Sequence, residues 1–268
     1  MRRTAGCILK NLGMLKASRA IYRSFIGFCR DVLWKLNSGK NFSEESASVP
    51  APSLCFRSAA SYDPVHFISS GRLGAESVRK AVAAAGRSLS DFEKVLDFGS
   101  GCCRIMHHLL KDLQGASVTA CEIDPMAADW LKKNQPHVSV MRLLQGEGLP
   151  CGSNRFDLIL AVAVFPLLKI DHQVLYMKEL RRVLSPEGIA LVTFKGSSRK
   201  NELTPGELKR FQSGRPVVRE PDFSGSLYCL AYLPEEFVRT VLVPDFQVIL
   251  FESGGSADTK QDMWLLQK

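Results

Sequence analysis

The chain has 268 residues, 46% of them apolar, enough to bury one α/β core with some sequence left over. Lys and Arg outnumber Asp and Glu by 35 to 27, yet from Met1 to Phe42 nine basic residues face Asp31 alone, so the excess sits in an N-terminal arm and gives no reason to expect a nucleic-acid partner for the core. The eight cysteines show neither C-x-x-C nor a paired histidine spacing, which disfavours a metal site and a disulfide framework.

No apolar run reaches the ~18 residues of a spanning helix, and no signal-peptide core is present, so a cytoplasmic protein, soluble or attached to a membrane surface, is expected. In the arm, Ile21, Phe25, Phe28, Val32 and Leu36 share one helical face, with Arg19, Arg23 and Arg30 opposite. This predicts an amphipathic helix from about 19 to 36 within a basic extension spanning 1–42. Three roles suit it: a brace packed on the main domain, a contact with an anionic membrane surface, or a targeting segment. Residues 43–53 are polar, with Pro50 and Pro52, and read as a linker. The main domain then runs over 54–268, opening with an irregular segment and a helix at Ala75 to Ala85.

Val95 to Phe98 is a short apolar run ending in Gly99-Ser100-Gly101, and Arg104 to Lys111 carries apolar residues at helical spacing, predicting strand, glycine turn and helix. Ser117 to Cys121 predicts a second strand, closed by Glu122. That residue lies 21 positions past Gly101, near the ~20-residue offset at which a carboxylate meets a ribose diol. Such a pocket suits an adenosine-bearing cofactor. Further strands are expected at Val138 to Leu144, Phe156 to Ala163 and Ile189 to Phe194, with a helix capped by Asp171 running to Arg182. Lys195 to Pro221 is basic and only patchily helical, and Pro234 to Leu242 predicts a short helix. The closing strands, Phe246 to Glu252 and Met263 to Gln267, are expected to be antiparallel because Ser253-Gly-Gly-Ser cannot make a helical crossover.

Two cofactor classes use this geometry. A dinucleotide site wants a third glycine where Arg104 stands, so an NAD-linked oxidoreductase is the weaker reading. VLDFGSGCCRIMHHL and VTACEIDP resemble motifs I and II of class I S-adenosylmethionine-dependent methyltransferases. Leu149 to Leu160 resembles that family's approach to strand 4, and Glu179 to Val192 its passage into strand 5. Ser70-Gly-Arg and the helix Glu76 to Ala85 resemble a subgroup of glycan-associated members. The resemblance covers roughly residues 60 to 268, with the motifs in family order.

It implies a Rossmann-like, doubly wound seven-stranded sheet with an antiparallel last strand, preceded by the basic helix. The implied activity is methyl transfer from S-adenosylmethionine to a small-molecule or glycan-like acceptor, more readily at oxygen. It implies that Gly99, Ser100 and Gly101 pass the methionine portion, that Asp97 meets its amino group and that Glu122 and Ile123 meet the ribose and base. It places the adenine edge on Gln145, Gly146 and Glu147 and lines the cleft with Ala161. Asp124 reads as a helix cap. The family's third glycine is Cys103 here, and its histidine after strand 4 is Leu167; His172 is the nearest candidate base, with Tyr228, Tyr232 and His66 behind it. A rival reading is a catalytically silent methyltransferase-like module that binds a partner or membrane through its arm.

Overall fold

The computed structural model describes residues 14–37 and 49–268. They fall into two compact units, one ending at Phe67 and one running from Ile68 to Lys268. In the first unit, α1 (Met14–Asn37) covers the helix predicted at about 19 to 36. It packs on α2 (Pro52–Ala59), where Asp31 accepts hydrogen bonds from the Ser53 N–H at 2.9 Å and hydroxyl at 2.6 Å. Gly27 makes room at this crossing, since a Cβ there would stand 3.2 Å from that of Ser53. Most of the predicted linker, 43–48, lies outside the described residues. Its end is α2 itself, with Pro52 in the first turn, where a fixed φ favours the start of a helix.

The next helix, α3 (Pro64–Ala84), begins well before the predicted Ala75. Gly71 and Gly74 lower its local propensity, but packing decides the matter. A Cβ at Gly71 would overlap the Arg104 carbonyl oxygen, and one at Gly74 would stand 2.6 Å from Ile105 Cδ1.

The second unit is built on a seven-stranded sheet ordered β3-β2-β1-β4-β5-β9-β8. Its strands are β1 (Lys94–Phe98), β2 (Ser117–Glu122), β3 (Val138–Arg142), β4 (Phe156–Ala161), β5 (Leu184–Phe194), β8 (Gln247–Glu252) and β9 (Asp262–Gln267). All neighbours from β3 to β5 pair in parallel, and β9 runs against both β5 and β8. Successive residues of a strand turn to opposite faces with a period of two. Leu96, Ile159, Ala161, Ala190, Val192 and Trp264 join a core with Tyr176, Met177 and Leu180 of α5 (Ile170–Val183). Val95, Leu158, Leu160, Leu191 and Leu265 join the other, with Val78 and Val82 of α3 and Leu131 of α4 (Pro125–Asn134). Both faces are covered, as parallel strands require.

Two local expectations are corrected. Lys169, not Asp171, is the N-cap of α5, and Asp171 lies in its first turn. The segment after Phe194 is more ordered than its composition suggests: a 3₁₀ turn (Ser197–Glu202), α6 (Pro205–Gln212) and a hairpin of β6 (Val217–Arg219) with β7 (Leu230–Tyr232). Arg219 pairs with Glu207 at 2.6 Å, holding that carboxyl down at about 2, and Glu202 accepts from Lys195 at 2.7 Å and the Tyr232 hydroxyl at 2.6 Å. The predicted helix at Pro234 to Leu242 is a single α-turn, α7 (Glu235–Phe237), continued as a π turn through Leu242.

Strand order reverses between β1 and β4, so the carboxyl ends of β1 to β4 gather around one crevice.

Candidate active site

The β1 turn bends through three left-handed residues, Gly99 at φ 72°, Gly101 at 55° and Cys103 at 55°. Cysteine there stands where backbone sterics favour glycine, at a cost of roughly 1–2 kcal/mol. The N–H groups of Gly99 and Ser100 both donate to the Cys121 carbonyl, at 2.8 and 3.2 Å, tying the turn to β2. A side chain at Gly99 would overlap that of Val164, so glycine is required for this approach.

Glu122 is 6% exposed and grips the turn. Its Oε2 accepts from the Gly101 N–H and its Oε1 from the Asp124 N–H, each at 2.7 Å. Burial pushes its carboxyl up, and those backbone donors hold the rise in check. Asp97 lies on the same turn. Burial, then the Glu122 charge, push it up to about 7, with Arg104 pulling the other way. Among the described residues, the buried Ser100 hydroxyl has no hydrogen-bond partner. Asp124 caps α4 as expected, accepting from the Met126 N–H at 3.0 Å.

The helix predicted from Arg104 to Lys111 is absent. Only a 3₁₀ turn, Met106–His108, forms, and the His108 N–H reaches the Ile105 carbonyl three residues back. Arg104 is the reason: its carbonyl is turned toward Gly71, and its guanidinium is buried in an ion pair with Asp258 at 2.7 Å, the two side chains 8% and 0% exposed. Asp258 lies between β8 and β9, and Ser256 donates to it at 2.5 Å. No helix N-terminus therefore faces the crevice from this turn. Its donors are the single N–H groups of the turn itself.

The other wall brings the remaining predicted residues together, along with two that sequence reading missed. Gln145 Nε2 donates to the Ser224 carbonyl. The Ser224 hydroxyl accepts from the Lys169 N–H at 3.0 Å and lies 2.9 Å from His172 Nδ1. Gly225 donates to the Leu167 carbonyl at 2.7 Å, and a Cβ on it would stand 2.9 Å from Ile123 Cδ1. Ser224 and Gly225 thus wall the crevice beside Ile123 and Gln145. Their only sequence signal is a short Ser-Gly-Ser turn 79 residues past Gln145. The Gly146 N–H donates to the Tyr176 hydroxyl at 2.9 Å, while the Glu147 side chain is exposed. Ala161 is buried in the core at the end of β4, and Val164 is the residue that meets Gly99.

Burial and then Lys169 hold the His172 ring below its ordinary value. The Ser224 hydroxyl and His172 Nδ1 share a hydrogen bond whose direction follows the ring's tautomer.

A doubly wound sheet with one reversed strand, a glycine turn after β1 and a carboxylate closing β2 defines a nucleoside-binding α/β domain. Residues 96–192, from β1 into β5, match the family described as "Methyltransferase domain", and the sheet has the Rossmann-like strand order of a methyltransferase fold. Among solved structures, it is similar to a glycopeptide N-methyltransferase complexed with S-adenosylhomocysteine, at 17% identity over 72% of this chain and 87% of that one, TM-score 0.50. It also matches the 1,6-didemethyltoxoflavin-N1-methyltransferase of Burkholderia thailandensis, at 18% identity over 94% and 89%, TM-score 0.48. A Methanosarcina mazei methyltransferase matches at 19% over 66% and 92%, TM-score 0.48. No curated protein matches the chain.

Proposed function

We propose that Glu122, Asp97 and the Gly99–Gly101 turn hold S-adenosylmethionine, and that the acceptor is a hydroxyl oxygen of a small-molecule or glycan-like substrate. The cofactor supplies a sulfonium methyl group to an acceptor lined up behind it. The observation that carries the reading is Glu122: its oxygens accept the Gly101 and Asp124 N–H groups at 2.7 Å each, and a carboxylate's four lone-pair sites leave it capacity for ribose hydroxyls. Asp97 supports it from the other side: among the described residues its carboxyl has no ion pair, and Arg104, which acts on it at a distance, is committed to Asp258. An ammonium group placed there satisfies it. The orphaned Ser100 hydroxyl is a further polar atom awaiting a partner.

The chain's own contribution to catalysis is alignment, with the turn and Glu122 fixing one reactant against the other and the crevice walls excluding water. The choice of acceptor rests on the resemblance of Ser70-Gly-Arg and Glu76 to Ala85 to glycan-associated members. Titration calorimetry of the full chain with S-adenosylhomocysteine and with NADH tests the cofactor; binding of NADH in place of the homocysteine compound refutes it. Transfer of labelled methyl to a panel of hydroxylated sugars, amines and thiols tests the acceptor, and labelling of the amines or thiols alone refutes the oxygen assignment.

A further inference from the structure

In the first unit, α1 presents an apolar surface. Tyr22, Phe25, Phe28, Val32, Leu33 and Leu36 are all exposed, from 41% at Val32 to 73% at Leu36. On a helix advancing about 100° per residue they form one stripe roughly 140° wide. Asp31 and Gly27 lie on the other side of α1, against Ser53 of α2, and the Arg30 guanidinium sits 5.1 Å from the Tyr62 ring centre. The stripe is therefore the side of α1 turned away from its own partner helix.

We infer that α1 lies flat on an anionic lipid surface, its apolar stripe in the headgroup boundary and its basic side chains on the lipid phosphates. Three observations select this occupant. Nine basic residues stand against Asp31 alone over residues 1–42, and that one carboxylate is turned into the α1–α2 contact, where Ser53 satisfies it. Among the described residues, Arg30 and Lys35 are exposed on either flank of the stripe. Charge also argues against a second copy of the chain, since pairing two such stripes would bring two arms of net +8 together. Finally, α1 is 24 residues long, about 36 Å, yet no helix among the described residues is long and apolar enough to cross a membrane. A one-sided apolar stripe with cationic margins is the form of a helix that lies in the interface.

Sedimentation of the full chain with vesicles tests this without reference to methyl transfer. Binding to phosphatidylserine-rich vesicles is expected, at least tenfold tighter than to pure phosphatidylcholine, and weakened by salt. Lys35→Ala lowers the affinity about fivefold. The triple change Phe25→Ser, Phe28→Ser, Leu33→Ser lowers it a hundredfold or more while leaving helix content unchanged, because all three side chains are exposed. Leu36→Ser alone gives a smaller loss in the same direction. Equal binding to both vesicle types, or a triple variant that binds as well as the native chain, overturns the inference. So does a native dimer, by light scattering, that the triple change dissolves and that ignores vesicles.

Discussion

Replacing Glu122 by glutamine separates a binding residue from a structural one. In the native chain its two oxygens each accept a backbone N–H at 2.7 Å, from Gly101 and Asp124, in a site 6% exposed. Glutamine keeps one acceptor and sets an NH₂ group against the other N–H, leaving a buried donor unpaired at about 1–3 kcal/mol and weakening the surviving bond. A gain opposes this loss, because burial already disfavours the charged carboxylate and outweighs its hydrogen bonds. The net cost is then about 1–2 kcal/mol, a fall in Tm of several degrees for a domain of this size. Affinity for S-adenosylhomocysteine must fall further, since charge-assisted bonds of about 1.5–3 kcal/mol are lost, which is on the order of 10- to 100-fold. Thermal denaturation and calorimetry on the same preparation read both. A lowered Tm with unchanged affinity would make Glu122 a brace for the turn and refute the cofactor site.

Other expectations follow from the same geometry. Arg104→Met leaves the wholly buried Asp258 without its cation and costs about 3–5 kcal/mol in urea denaturation, while adding Asp258→Leu restores most of it; strict additivity of the two changes would show that the pair is not coupled. Asp97, raised from an ordinary 3.8 to about 7, holds its proton in the folded chain over that window while the unfolded chain has released it. Its contribution to stability is therefore fully present below about 4 and is lost as pH rises toward 7, a change of a few kcal/mol in denaturation midpoints that Asp97→Asn abolishes. Cofactor binding runs the other way, because an ammonium partner wants the ionised carboxylate: affinity for S-adenosylhomocysteine should rise with pH up to about 7, with proton release seen by calorimetry in two buffers. Gly225→Ala forces a side chain into a φ of +83° against Ile123, and a loss of about 1–2 kcal/mol is expected; an unchanged Tm would mean that Ser224 and Gly225 are not held on the crevice wall.

What the sequence determined by itself was the frame. The continuous apolar runs at Val95 and Leu96, and at Leu158 to Ala161, record strands buried on both faces, and such a run is a property of neighbours along the chain. The glycine turn and Glu122 were legible for the same reason, since a tight turn and a strand end are local events. Arg104 was legible only as a departure from the dinucleotide pattern. Its counter-charge lies 154 residues on, and the hairpin that delivers Asp258 also draws Arg104 out of the helix its spacing predicts. Ser224 and Gly225 reach Ile123 and Gln145 in the same way, from the connection between the strands of an inserted hairpin. Only the tertiary structure could settle these pairings, because local periodicity specifies the face a residue turns inward, whereas the crossing of distant segments specifies what it meets there.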